Sequence, residues 1–146
     1  MTTIADKLQE VRTRIDAACR AAGRASGDVS LLAVSKTFPA EMVARAALAG
    51  QQAFGENYLQ EAVEKMSQLG EAGLTNLEWH CIGPVQGNKT RLVAEHFDWV
   101  HTVDRLKIAQ RLNDQRPAHL PPLQVCIQVN TSGEDSKSGA SPDEAL

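Results

Sequence analysis

Five short apolar runs, each but the last followed by residues at helical spacing, constrain this chain more than any other feature. The first is Val29-Ser-Leu-Leu-Ala-Val-Ser-Lys36, in which Leu31 to Val34 is apolar without alternation. Such a run suits a strand buried on both faces, as in a parallel sheet. Pro39 can open the next helix, with Met42, Val43, Ala46 and Ala47 on its inner face and Gly50 at its end.

The pattern recurs along the chain. A strand is expected at 52–56, with a helix from about Tyr58 to Leu69. A third strand spans 77–82, with a helix from about Lys89 to Phe97. A fourth covers Trp99 to Val103, and Asp104 is expected to cap a helix running to Asn113. The fifth runs from Leu123 to Asn130 into a polar loop, 131–140. Ahead of them, residues 3–22 place Ile4, Leu8, Val11, Ile15, Cys19 and Ala22 on one helical stripe, with Gly23 as a stop. Alternating strands and helices imply a parallel sheet with right-handed crossovers. In such folds the chemistry gathers at the carboxyl ends of the strands.

The segment Ser141-Pro-Asp-Glu144 carries an N-cap, a first-position proline and a capping-box acid, yet the sequence stops two residues later. The expectation is a single domain over residues 1–146 that is an incomplete barrel, truncated before its last strands. A closed (β/α)₈ barrel needs eight strands and about 250 residues.

Composition removes several function classes. A net charge of −3 and 4% aromatic residues do not suit a nucleic-acid binder. No apolar run approaches the roughly 20 residues of a membrane span. The first ten residues lack a signal-peptide layout, so the expected compartment is the cytoplasm. Cys19, Cys81 and Cys126 lie far apart in apolar contexts and are expected as buried free thiols.

Among the strand ends, Lys36 stands out because it directly follows a strand expected to be fully buried. An ammonium there would be desolvated, which favours the neutral amine that attacks an aldehyde. A lysine turning out to solvent is the plainer reading of the same residues, and local sequence leaves both open. Gly83-Pro-Val-Gln-Gly-Asn-Lys-Thr90 approaches the phosphate-cradling G-x-x-x-x-G-K-[ST] pattern, but Asn88 stands where the second glycine belongs. A P-loop-like nucleotide binder is therefore a distant alternative. His80, His96, His101 and His119 show no metal-ligand spacing, and Asp98 and Asp104 read as a surface residue and a helix cap.

Four ordered motifs then combine. They are Ala33-Val-Ser-Lys-Thr37; Phe54-Gly-Glu-Asn-Tyr58; His80-x-Ile-Gly-x-x-Gln86-x-Asn-Lys89; and Asn130-x-Ser-x-Glu134-x-x-Lys137-x-Gly139. Together they resemble the pyridoxal phosphate homeostasis protein family, the YggS/PROSC group, from the first helix to the last residue. The resemblance implies a (β/α)₈ TIM barrel of the alanine-racemase N-terminal type, here an N-terminal helix and about the first five βα units. It implies pyridoxal 5′-phosphate held as an imine on Lys36, with Asn57, His80, Lys89 and Lys137 as further cofactor-site positions. It implies a carrier or buffer of the cofactor in vitamin B6 and amino-acid homeostasis, without turnover. The partners so implied are the small-molecule cofactor and acceptor apo-enzymes, with a monomer expected at full length and neither nucleic acid nor membrane.

Two departures stand out. Many members carry a second lysine two places after the cofactor lysine, where this chain has Phe38. The family's remaining strands, phosphate loops and pyridine-nitrogen partner lie outside these residues. The alternative function is a pyridoxal-phosphate-dependent racemase or lyase. A racemase of this fold pairs its lysine with a tyrosine from a second domain, and this chain has one tyrosine, Tyr58. The carrier reading is preferred on that ground.

Overall fold

A computed structural model describes residues 2–146. The element order is α1 (Ile4–Ala21), β1 (Ala33–Val34), α2 (Ala40–Leu48), β2 (Ala53–Glu56), α3 (Leu59–Glu71), β3 (Glu78–Cys81), α4 (Thr90–His96), β4 (Trp99–Val103), α5 (Leu106–Gln115) and β5 (Gln124–Ile127). All neighbouring strands pair in parallel, in the order β1-β2-β3-β4-β5. Sequential order matters: crossovers of one hand then put every helix on the same side of the sheet. This is an arc of barrel wall, and the expected α/β barrel class holds.

Local chemistry explains the elements. Thr3 caps α1, accepting from Asp6 N at 3.1 Å, while Asp6 Oδ2 accepts from Thr3 N at 3.0 Å. The first three helices end alike, with Gly23, Gly50 and Gly73 at positive φ. In α1, Arg24 N donates to Cys19 O at 2.8 Å and Gly23 N to Arg20 O at 3.1 Å, which satisfies carbonyls the helix leaves free. Pro39 is the N-cap of α2. Arg116 Nη1 donates to Ala94 O and Phe97 O at 2.8 and 2.6 Å, closing the carboxyl end of α4.

The core lies between the helices and the outer face of the sheet. Val43, Phe54, Ala62, Leu69, Trp79, Val93, Phe97, Val100, Ile108 and Leu112 form it. Phe54 and Trp79, partners in register, bring ring centroids to 5.7 Å.

Four expectations need correction. Only Ala33 and Val34 of the first apolar run pair as a strand, and Val34 is 50% exposed rather than buried. β1 is an edge strand among the described residues, paired only with β2, and Val34 lines an open apolar cleft beside Phe38 and Leu8. Arg105, not Asp104, is the N-cap of α5, and it makes no side-chain cap. Asp104 instead approaches Arg105 Nε at 3.8 Å. Cys126 is exposed, because no helix among the described residues covers β5. Finally, Ser141 and Glu144 form the reciprocal capping bonds, at 3.1 and 3.2 Å, on a turn rather than a helix.

Candidate functional site

Parallel pairing directs the carboxyl ends of all five strands to one mouth. Lys36 sits there, two residues past Val34, in a turn closed by Phe38 N donating to Ser35 O at 3.1 Å. Thr37, the next residue, has φ of 68°, the one positive value outside glycine among the described residues. A β-branched residue is strained in that region. Lys36 itself is exposed, so the expectation that a buried strand end desolvates its amine does not hold.

Beneath this turn lies an ionic cluster that sequence reasoning misses. Lys65 Nζ donates to Ser35 O and Glu56 Oε2, both at 2.8 Å, and pairs with Glu61 Oε1 at 3.0 Å. Ser35 Oγ donates to Glu56 Oε2. Glu61 Oε1 also accepts from Thr37 N at 2.8 Å. The Lys65 contact holds the Glu61 carboxyl below its usual range; partial burial opposes this, and the Thr37 N–H adds to it. The available signal is the Glu61/Lys65 spacing of four on α3 together with an acid inside a strand.

Asn57 follows β2, and its Oδ1 is buried without a partner among the described residues. Gly83 packs against it: a Cβ on Gly83 would come within 3.0 Å of Asn57 Cα and O, so only glycine fits without displacement. Asn57 and Lys89 line one cleft with Tyr58 and Glu61. Asn57 also lines a second cleft, about 400 Å³ in volume, with Gln86, Thr102, Asp104, Gln128 and Ser138. Lys137 neighbours Ser138 in the loop after β5, whose base is tied by Asn130 N donating to Ala140 O at 2.8 Å. Among the described residues, the amines of Lys36, Lys89 and Lys137 make no side-chain hydrogen bond or ion pair.

His80 lies one layer deeper than a strand end. It is register partner of Gly55 and Trp99, on the sheet face opposite the helices. Its Nε2 meets Glu78 Oε1 at 2.6 Å and its Nδ1 meets His101 Nε2 at 2.8 Å. Trp99 stacks on the ring, 3° from parallel with centroids 5.5 Å apart. In the tautomer that donates from Nε2 to Glu78, Nδ1 is the acceptor for His101 Nε2–H. Burial, and secondarily His80, lowers the proton affinity of His101. The period-two spacing of Glu78 with His80 and Trp99 with His101 carries this in sequence, but their pairing spans 21 residues.

The P-loop alternative fails on geometry. Thr90 is buried, and its hydroxyl donates to Gly87 O at 3.2 Å, while Arg111 Nη1 takes the same carbonyl at 2.6 Å. The Thr90 proton is committed to a backbone carbonyl, so it is not offered to a phosphate. No group of three His, Cys, Asp or Glu among the described residues is arranged to hold a metal.

Fold and motifs together define a racemase-type barrel segment with a lysine at its mouth. The family described as "Alanine racemase, N-terminal domain" matches residues 7–146, and the chain belongs to it. Within that family it is 61% identical over 139 residues to the pyridoxal phosphate homeostasis protein of Escherichia coli strain K12, covering 95% of this chain and 59% of that relative. The resemblance drawn from the four motifs is borne out. PipY of Synechococcus elongatus PCC7942, solved without and with PLP bound, matches at TM-scores of 0.82 and 0.80, with 36% and 35% identity. Both alignments cover 97% of this chain and 60% of PipY. Alanine racemase from E. faecalis, at 23% identity, TM-score 0.60 and coverage of 94% and 36%, shares the fold. The chain spans about three fifths of the length of the curated relatives it matches. No helix among the described residues is long and apolar enough to cross a membrane.

Proposed function

We propose that this protein binds pyridoxal 5′-phosphate covalently through Lys36 and carries or buffers it, without turnover, in vitamin B6 and amino-acid homeostasis. The observation that carries this reading is Lys36, an exposed amine on a strained turn at the mouth of a racemase-type barrel segment. The names of the curated relatives and the PLP bound to PipY support it. We further propose that residues 1–146 are one domain of that barrel and act in the cytoplasm.

The residues present fit the group at its reactive end. Among the described residues, Lys36 provides a primary amine without a competing side-chain partner, and Asn57 offers a buried carbonyl oxygen lacking a donor. When bound, the cofactor supplies an aldehyde carbon for an amine to attack, and a phosphate dianion. Lys36 Nζ holds the group. Asn57 Oδ1 orients a donor beside it, and Lys89, on the same cleft, supplies positive charge. His80, held by Glu78 and His101, keeps its ring fixed one layer below. Lys137 assists exchange with acceptor apo-enzymes from its loop. Tyr58 is the N-cap of α3 and exposed.

The test is borohydride reduction of the loaded native protein, followed by digestion. A pyridoxyl adduct on Lys36, lost in Lys36→Ala along with the visible absorbance band, is the expected result. An adduct confined to another lysine overturns the assignment. Sustained racemisation or cleavage of amino acids by the native protein would replace the carrier reading with the enzymatic one.

A further inference from the structure

Lys36 is gripped from both sides by one helix. The peptide before it is fixed at Ser35 O, which accepts from Lys65 Nζ at 2.8 Å and from Phe38 N at 3.1 Å. The peptide after it is fixed at Thr37 N, which donates to Glu61 Oε1 at 2.8 Å. Glu61 and Lys65 stand one turn apart on α3 and also pair with each other.

Stability alone does not explain this cluster. Lys65 is 4% exposed and Glu56 0%, so both charges are taken out of water. A buried ion pair recovers its desolvation cost poorly, and apolar side chains of similar volume serve a core as well or better. Among the described residues Glu56 Oε1 is even left without a partner. The turn above it stores further strain, since Thr37 holds a positive φ of 68° that glycine would hold at lower cost. Two unfavourable features in contact, both bordering one lysine, share a geometric effect: they hold the backbone on either side of Lys36 in a single arrangement.

We propose that Glu61 and Lys65 are positioning residues for Lys36, clamping the strained Ser35–Phe38 turn so that the lysine amine is presented in one geometry and bound cofactor is released slowly. This rests on the reading of Lys36 as the attachment point. Lys65 anchors the clamp through Glu56 and Ser35, and Glu61, the half-exposed member, closes it on Thr37. A covalent link to a primary amine is reversed by water. Its lifetime therefore depends on how closely the freed amine is held for recapture.

Glu61→Ala, Glu61→Gln and Thr37→Gly in the native protein test this, with pyridoxal 5′-phosphate as the ligand. Glu61→Ala removes the acceptor for Thr37 N–H and should release the cofactor about tenfold faster, the loss of one charge-assisted hydrogen bond. Glu61→Gln keeps a carbonyl acceptor but loses the charge, so its release should be faster than the parent's and slower than that of Glu61→Ala. Thr37→Gly removes the strain, so it should unfold no more easily than the parent yet release the cofactor faster. A residue that merely stabilises the fold could not produce that pairing. Hydrogen exchange at the Thr37 amide, measured without cofactor, should accelerate more in Glu61→Ala than in Glu61→Gln. Parental release from both Glu61→Ala and Thr37→Gly, with the borohydride adduct still on Lys36, overturns the clamp and leaves the attachment reading intact. An adduct elsewhere than Lys36 overturns both.

Discussion

Val100 and Val125 are register partners on neighbouring parallel strands and share one side of the sheet. Val100 is 0% exposed, whereas Val125 is 51% exposed. The contrast repeats further along, where Val103 is buried and its partner Ile127 is 57% exposed. All four are β-branched, so residue type does not separate the strands. A crossover helix does: Ile108 and Leu112 of α5 pack into the cluster that contains Val100 and Val103. Among the described residues no helix follows β5. Burial of a strand in this fold is conferred by the helix that covers it rather than by the strand.

The largest expected difference between the covered and uncovered strands is in thiol chemistry. Burial pushes the Cys81 thiol on β3 up to about 11, while Cys126 on β5 is exposed. Cys126 should react with a thiol reagent at mildly alkaline pH at least about a hundredfold faster than Cys81. Mass mapping over time checks this, and comparable rates would mean that β5 is covered in the native protein.

A smaller effect separates the register partners directly. Val100→Ala should cost about 2 kcal/mol in urea unfolding, through lost transfer energy and a cavity. Val125→Ala should cost under about 0.5 kcal/mol. Equal costs would break the comparison, because they would show β5 packed as firmly as β4.

The smallest effect concerns the inner face, where polar rings replace the apolar packing of the outer one. His101 binds its proton more weakly when folded, chiefly through burial and then through His80. The unfolded chain therefore binds more protons between the two values. The contribution of His101 is complete above the unfolded histidine value of about 6.5 and is lost as pH falls through the folded one. Urea midpoints should drop on acidification through that window, and His101→Gln should flatten the drop. An unchanged slope in that variant would assign the titration to another group.

Much of this architecture is legible in sequence because its causes are local. The β4 bounds, Trp99 to Val103, follow from one run between an acid and a helix start. The ends of α1 and α2 follow from Gly23 and Gly50, since the turn each requires is written in a single residue. Lys36 is legible as a candidate because strand–helix alternation says where chemistry gathers. Other residues resist such reading. Val34 looks buried by its neighbours in sequence, yet it is half exposed on an edge strand, a place in the sheet that its own run does not state. Asp104 looks like a cap, but the helix starts later, after Arg105.

The sequence by itself determined the order of strands and helices, the direction of every strand and the end of the sheet at which Lys36 emerges. These depend on periodicity, chirality and turn chemistry, which act over a few residues. Only the tertiary structure decided that Lys65 would reach under Ser35 to Glu56, that Glu61 would take the Thr37 amide, and that His80 would lie between Glu78 and His101 beneath Trp99. Most of those contacts join residues on different elements. Buried polar groups must find whichever partner the packed fold brings within hydrogen-bonding distance, and that distance is set by the assembled sheet rather than by spacing along the chain.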